Sequence, residues 1–161
     1  MSTRGVIARA TSDGFKGRYH HFDSYPDALG STLWKLYHGY FKKDIRRMTE
    51  VLIDEHPAGW SSINEADFNL PVGYWENRAP SVGTPEYEEY RRHPQCYCHG
   101  DRNEKPWDVD QDTDCGAEFV YIFDEGPCIR ILSTYTGWGE IGVVNLNDDD
   151  EPNWLAMLPE D

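Results

Sequence analysis

Residues 58–114 lose the pattern that the rest of the chain carries. They are rich in Pro, Gly, Asn and acidic residues and show no sustained helical or strand period. Residues 85–92 (PEYEEYRR) suggest the one short helix there, a turn or two long. A structureless stretch of that length is unusual inside one domain. It implies either a long functional loop or a fastening other than the hydrophobic core.

The flanks are far more regular. Residues 5–10 (GVIARA) read as a strand, Ser12-Asp13-Gly14 as a turn, and residues 17–23 as the returning strand of a hairpin. Pro26 then suits the first turn of a helix. Leu29, Leu33, Leu36, Tyr37 and Tyr40 recur at helical spacing as its buried stripe, with Gly39 weakening its end. Asp44 can cap a second helix that presents Ile45, Met48 and Leu52 on one face and stops at Pro57. Order returns with a hairpin, residues 117–123 (AEFVYIF) and 128–135 (CIRILSTY), and with a further strand at 140–146. In the acidic tail, the apolar patch 154–158 is expected to dock. Strands, then helices, then strands argue an α+β fold. We expect one domain over residues 1–161, with a largely antiparallel sheet of about five strands and two helices after the first hairpin.

A chain of 161 residues that is 27% charged and 39% hydrophobic can build one core and is not disordered. Its longest aliphatic runs fall far short of the ~20 residues of a membrane span, and the first residues carry no apolar signal region. A cytoplasmic location is the expectation. The net charge of −14 is unevenly placed: nine Lys and Arg against seven Asp and Glu in residues 1–56, six against twenty-two thereafter. Such acidity repels phosphate backbones, so general nucleic-acid binding is not expected. It suits a basic protein surface as partner, or serves solubility alone.

Thiols and imidazoles crowd into HPQCYCHGD, which holds His93, Cys96, Cys98 and His99, and Cys115 follows after a loop. Three thiolates and one imidazole suit a closed structural zinc site. The expected set is Cys96, Cys98 and Cys115 with His93 or His99. Cys128 is left out, because it sits at the turn end of the hairpin that Cys115 opens. The competing reading is reduced cysteines without metal, a disulfide being foreign to that compartment. The alternating acids of DVDQDTD imitate a calcium loop but place Thr113 and Phe119 where Gly and Glu are required. GWGEIG has the letters of a dinucleotide fingerprint, yet a strand and not a helix follows it. Lys42, Lys43, Arg46 and Arg47 form a basic cluster that reads as a solvated helix face.

Residues 18–29 (RYHHFDSYPDAL) pose a separate question. His21 and Asp23 share a strand face and can act as an acid–base pair, or with Ser24 and Tyr25 hold a small ligand. The alternative is a joint, with Asp23 or Ser24 tying backbone N–H groups and Tyr25-Pro26 fixing the turn into the helix.

Together, STRGVIAR, YHHFDSYPDALG, HPAGWSS and CYCHGD resemble a family of uncharacterised proteins from actinobacteria and their phages, which share a TRG opening and an H-x-D-S-Y-P signature. The resemblance carries over no catalytic residues. It implies a phage or mobile-element setting, in which small acidic proteins inhibit or sequester host components. The opening is also similar to that of N-terminal-nucleophile hydrolases, with Ser2 as the nucleophile. The expected function is an acidic binding protein, stapled by one zinc. The alternative is a small hydrolase using His21 and Asp23, or Ser2.

Overall fold

The computed structural model describes residues 3–68, 75, 80–98 and 104–158. Its centre is an eight-stranded, mostly antiparallel sheet. The strands are β1 (Gly5–Ala10), β2 (Phe15–His20), β3 (Trp60–Ser62), β4 (Gln95–Cys96), β5 (Val109–Asp110), β6 (Phe119–Asp124), β7 (Cys128–Ser133) and β8 (Gly139–Asn145). Their order is β4-β3-β2-β1-β6-β7-β8, with β5 also on β2. Two neighbour pairs are parallel, β1 with β6 and β2 with β3. The expected α+β class holds, and the sheet gains three very short strands from the segment that shows no period.

β1 and β6 lie in the middle of the sheet and are apolar on both faces, as strands covered on both sides must be. Ile7, Phe119, Tyr121 and Phe123 face one cluster; Val6, Ala8, Val120 and Ile122 face another. The first cluster is covered by α1 (Ser31–His38) and α2 (Ile45–Thr49) with the π-helical turns Pro26–Gly30 and Glu50–Asp54. Among the described residues, the second is bordered by the loop around β5. α3 (Pro85–Arg91) begins at Thr84, whose side chain accepts from the Tyr87 N–H.

Most helix signals operate as read. Asp44 caps α2 by accepting from the Arg47 N–H, and Leu29, Leu33, Leu36 and Tyr37 are buried. Tyr40 is the exception, 46% exposed. α1 stops at His38, so the period no longer applies two residues on, and Phe41 fills the core instead. Trp154 seats the tail against Gly30, where a Cβ would stand 2.8 Å from its ring.

Among the described glycines the closest approach is at Gly17, which pairs with Ala8 on one side and Val109 on the other. A Cβ there would meet the Ile7 carbonyl oxygen at 2.0 Å, and neither backbone can yield without breaking register. Gly17→Ala is expected to cost about 3 kcal/mol or more in urea unfolding, the upper range for overpacking. Gly126→Ala, with open space around its Cβ, should stay within about 0.5 kcal/mol. Equal stability of the two variants would contradict this account of the β1–β2 contact.

Candidate metal centre

Cys96 lies in β4 and Cys98 two residues on. In extended chain, positions i and i+2 share a face, so the C-x-C spacing aims both thiols the same way. β4 pairs with β3, which places Cys96 opposite Trp60. The backbone closes around this pairing. Tyr97 N–H donates to the Gly59 carbonyl at 3.0 Å, and Trp107 N–H to that of Pro57 at 2.9 Å. Gly59 has φ +90°, and a Cβ would stand 2.8 Å from the Tyr19 carbonyl oxygen, so only glycine lets this stretch lie against β2.

That packing delivers His56. It is 3% exposed, with its ring 4.6 Å from the indole of Trp60. Trp60 is itself fixed, donating from Nε1 to the Leu52 carbonyl at 2.7 Å. The ligand atoms of His56, Cys96 and Cys98 all lie within 4.8 Å of one another. Cys98 Sγ is 3.5 Å from His56 Nδ1. The Cys98 thiol is lowered to about 4, chiefly by its hydrogen bond from Cys96 and then by the His56 contact, against the opposing effect of burial. Two thiols and an imidazole, one thiol favoured toward its thiolate by its neighbours, form a soft donor set compatible with zinc. Tetrahedral zinc with bonds of roughly 2.0–2.3 Å needs donors about 3.5–3.8 Å apart, a small closure from the separations here.

The expected ligands are therefore brought together only in part. Cys96 and Cys98 meet, and the imidazole beside them belongs to His56. His93 is buried elsewhere, its Nδ1 accepting from Trp75 Nε1 at 2.5 Å with the two rings stacked. Cys115 packs against the cluster on the opposite sheet face, and burial raises its thiol. His99 lies outside the described residues. His56 sits in HPAGWSS with no periodic signal, and only the fold sets it beside a C-x-C some forty residues away.

Residues 18–29 form a joint. β2 ends at His20, and Asp23, exposed at φ +54°, turns the chain out of the strand. His20 is fully buried. Its Nε2 accepts from the Ile63 N–H at 3.1 Å, so Nδ1 carries the ring proton and donates to Ser24 Oγ at 2.8 Å. The Ser24 hydroxyl donates on to the His20 carbonyl at 3.3 Å. A serine facing a protonated ring nitrogen gains no base, and this one has zero exposure. Ser24 N–H donates to the Thr3 carbonyl, and its own carbonyl accepts from Tyr121 Oη at 2.5 Å. The Tyr25 carbonyl takes the N–H groups of Ala28 and Leu29, starting the turn into α1.

The other candidate residues are dispersed around this joint. His21 Nδ1 pairs with Tyr19 Oη at 2.6 Å, and Tyr25 lies against Phe119, ring centroids 5.9 Å apart. Ser2 lies outside the described residues. His20, which closes the joint, is the residue that the strand-face reading passed over. No helix of the described residues is long and apolar enough to cross a membrane. No family model, curated protein or solved structure matches the chain.

Proposed function

We propose that this chain is a zinc-stapled binding protein that presents its acidic surface to a basic protein partner. The observation that carries the zinc is the convergence of His56, Cys96 and Cys98 at the β3–β4 pairing. A bound zinc ion supplies cross-linking there and needs no redox change. The chain supplies two thiols on one strand face and an imidazole held by burial beside Trp60. His56 borders the stretch without periodic pattern, and Cys96 and Cys98 lie within it, which is where a core alone has least to grip. The partner follows from charge: residues 57–161 carry a net −16, with six basic residues against twenty-two acidic ones, whereas residues 1–56 carry +2. Contacts of that kind weaken as salt rises, because exposed charges are screened beyond about 8–10 Å. In the phage-related setting that the sequence motifs suggest, such a surface would sequester a basic host component.

A second reading has one observation in its favour. Without metal, the Cys98 thiolate beside His56 Nδ1 has the form of an activated nucleophile. Native mass spectrometry separates the two. The staple predicts one zinc above the denatured mass, lost in Cys98→Ser and His56→Ala and kept in Cys115→Ser. Absence of zinc, with rapid alkylation confined to Cys98, would favour thiol chemistry and sink the staple.

A further inference from the structure

The sheet face opposite α1 and α2 holds a cavity of about 700 Å³, bounded by β1, β6, β7 and the loop that follows β5. Val6, Val120 and Ile122 form its floor, each at most 1% exposed. The loop above carries Asp110, Asp112, Asp114 and Glu118, and the only guanidinium among the lining residues is that of Arg130. We propose that this cavity binds a small organic cation, an amine carried on an apolar body of aromatic size.

The volume lies within the ~300–1,000 Å³ typical of small-molecule pockets, and the combination of an apolar floor with a few polar groups at the rim is theirs as well. None of the four carboxylates forms an ion pair among the described residues. Asp110 is occupied in its own turn, accepting from Asp112 N–H and Thr113 Oγ1 at 2.9 Å each. Asp114 and Glu118 each give one oxygen to a longer bond, from Gly116 N–H at 3.3 Å and from Tyr135 Oη at 3.4 Å, and with Asp112 their other oxygens supply the charge for a ligand. Cys115, also on the wall, stays a neutral thiol because burial raises it.

Trp138 adds an exposed aromatic wall to the same cavity. It lines the cavity yet is 46% exposed. Its backbone is left-handed at φ +66°, directly after Gly137 at φ +63°. A bulky residue in that region is a strained outlier, of a kind that gathers at ligand sites. An indole that lines the same cavity as the carboxylates adds a cation–π attraction to theirs. No lining residue of this cavity belongs to the His56–Cys96–Cys98 group, so the proposal stands or falls apart from the zinc.

The test compares 1-naphthylmethylamine with 1-naphthoate, alike in shape and opposite in charge, by calorimetry and by amide chemical-shift mapping. The amine should bind at least tenfold tighter, with shifts at Gly116, Glu118 and Trp138. Asp114→Asn with Glu118→Gln should weaken it about tenfold, the size of a partly screened charge pair. Trp138→Gly should lose roughly threefold to thirtyfold, as for a cation–π contact. That variant also removes the strained side chain, so its thermal stability should hold or rise. Affinity lost while stability is kept marks a ligand site. Equal affinity for amine and carboxylate, shifts away from the cavity, or unchanged binding in the carboxylate variant would each overturn the assignment. So would a lysine-rich peptide that binds this face when the amine does not.

Discussion

Acidification from pH 7 to pH 4.5 is expected to remove roughly 3 kcal/mol of stability through His20 alone, at about 1.4 kcal/mol for each pH unit below its ordinary pKa. Burial, and secondarily the neighbouring His21, lower this imidazole from 6.5 to about 3. The geometry agrees, since a second ring proton would have to sit on Nε2, where the Ile63 N–H already points. Below 6.5 the unfolded chain takes up a proton that the native state refuses. Native stability is therefore complete above about 6.5 and falls as pH drops toward about 3. Urea unfolding in the presence of a chelator, which keeps metal ligation out of the slope, measures the effect. His20→Gln can still accept the Ile63 bond and does not titrate. Its stability should be lower at pH 7 and should fall with pH by about one proton's slope less. Parallel pH profiles for the two proteins would show that His20 is not the group responsible.

Why the sequence hides this histidine is instructive. His21 and Asp23 look paired if the strand runs to residue 23, but β2 ends at His20 and Asp23 adopts a left-handed conformation. Strand length decided which histidine mattered, and boundaries are the least legible part of a sequence. The elements that were legible carry their own signal. β1 and β6 are continuous apolar runs, α2 has its capping aspartate, and α3 begins with Thr-Pro. β3, β4 and β5 carry none. They are two or three residues long and exist only because another strand offers an edge: His20 to Trp60, and Lys16 to Asp110. The candidate metal donors divide the same way. The C-x-C spacing is local and its common face follows from strand geometry. His93 and Cys115 are near those cysteines in sequence, yet Cys96 packs on the helix-side core and Cys115 on the opposite cluster. Nothing local marks His56.

The second large effect follows from those same short strands. Chelation should lower the thermal midpoint by about 8–16 °C. Free zinc at a thousand times its dissociation constant stabilises by about 4 kcal/mol, and a domain of this size moves roughly 2–4 °C per kcal/mol. The loss should be local before it is global. Tyr97 N–H and Trp107 N–H are held by the carbonyls of Gly59 and Pro57, at the ligand cluster itself, and should exchange faster once the metal is stripped. Amides of β6 and β7, paired over six residues in the middle of the sheet, have no such dependence and should keep their protection. Cys98→Ser should reproduce both changes without chelator. An unchanged midpoint together with unchanged exchange at Tyr97 and Trp107 would mean that hydrogen bonds alone hold β3 to β4. Trp60 makes the alternative concrete, since its backbone faces His20 on one side and Cys96 on the other. The acid-sensitive joint and the thiol cluster then share one strand, and loosening either weakens the edge that the other needs.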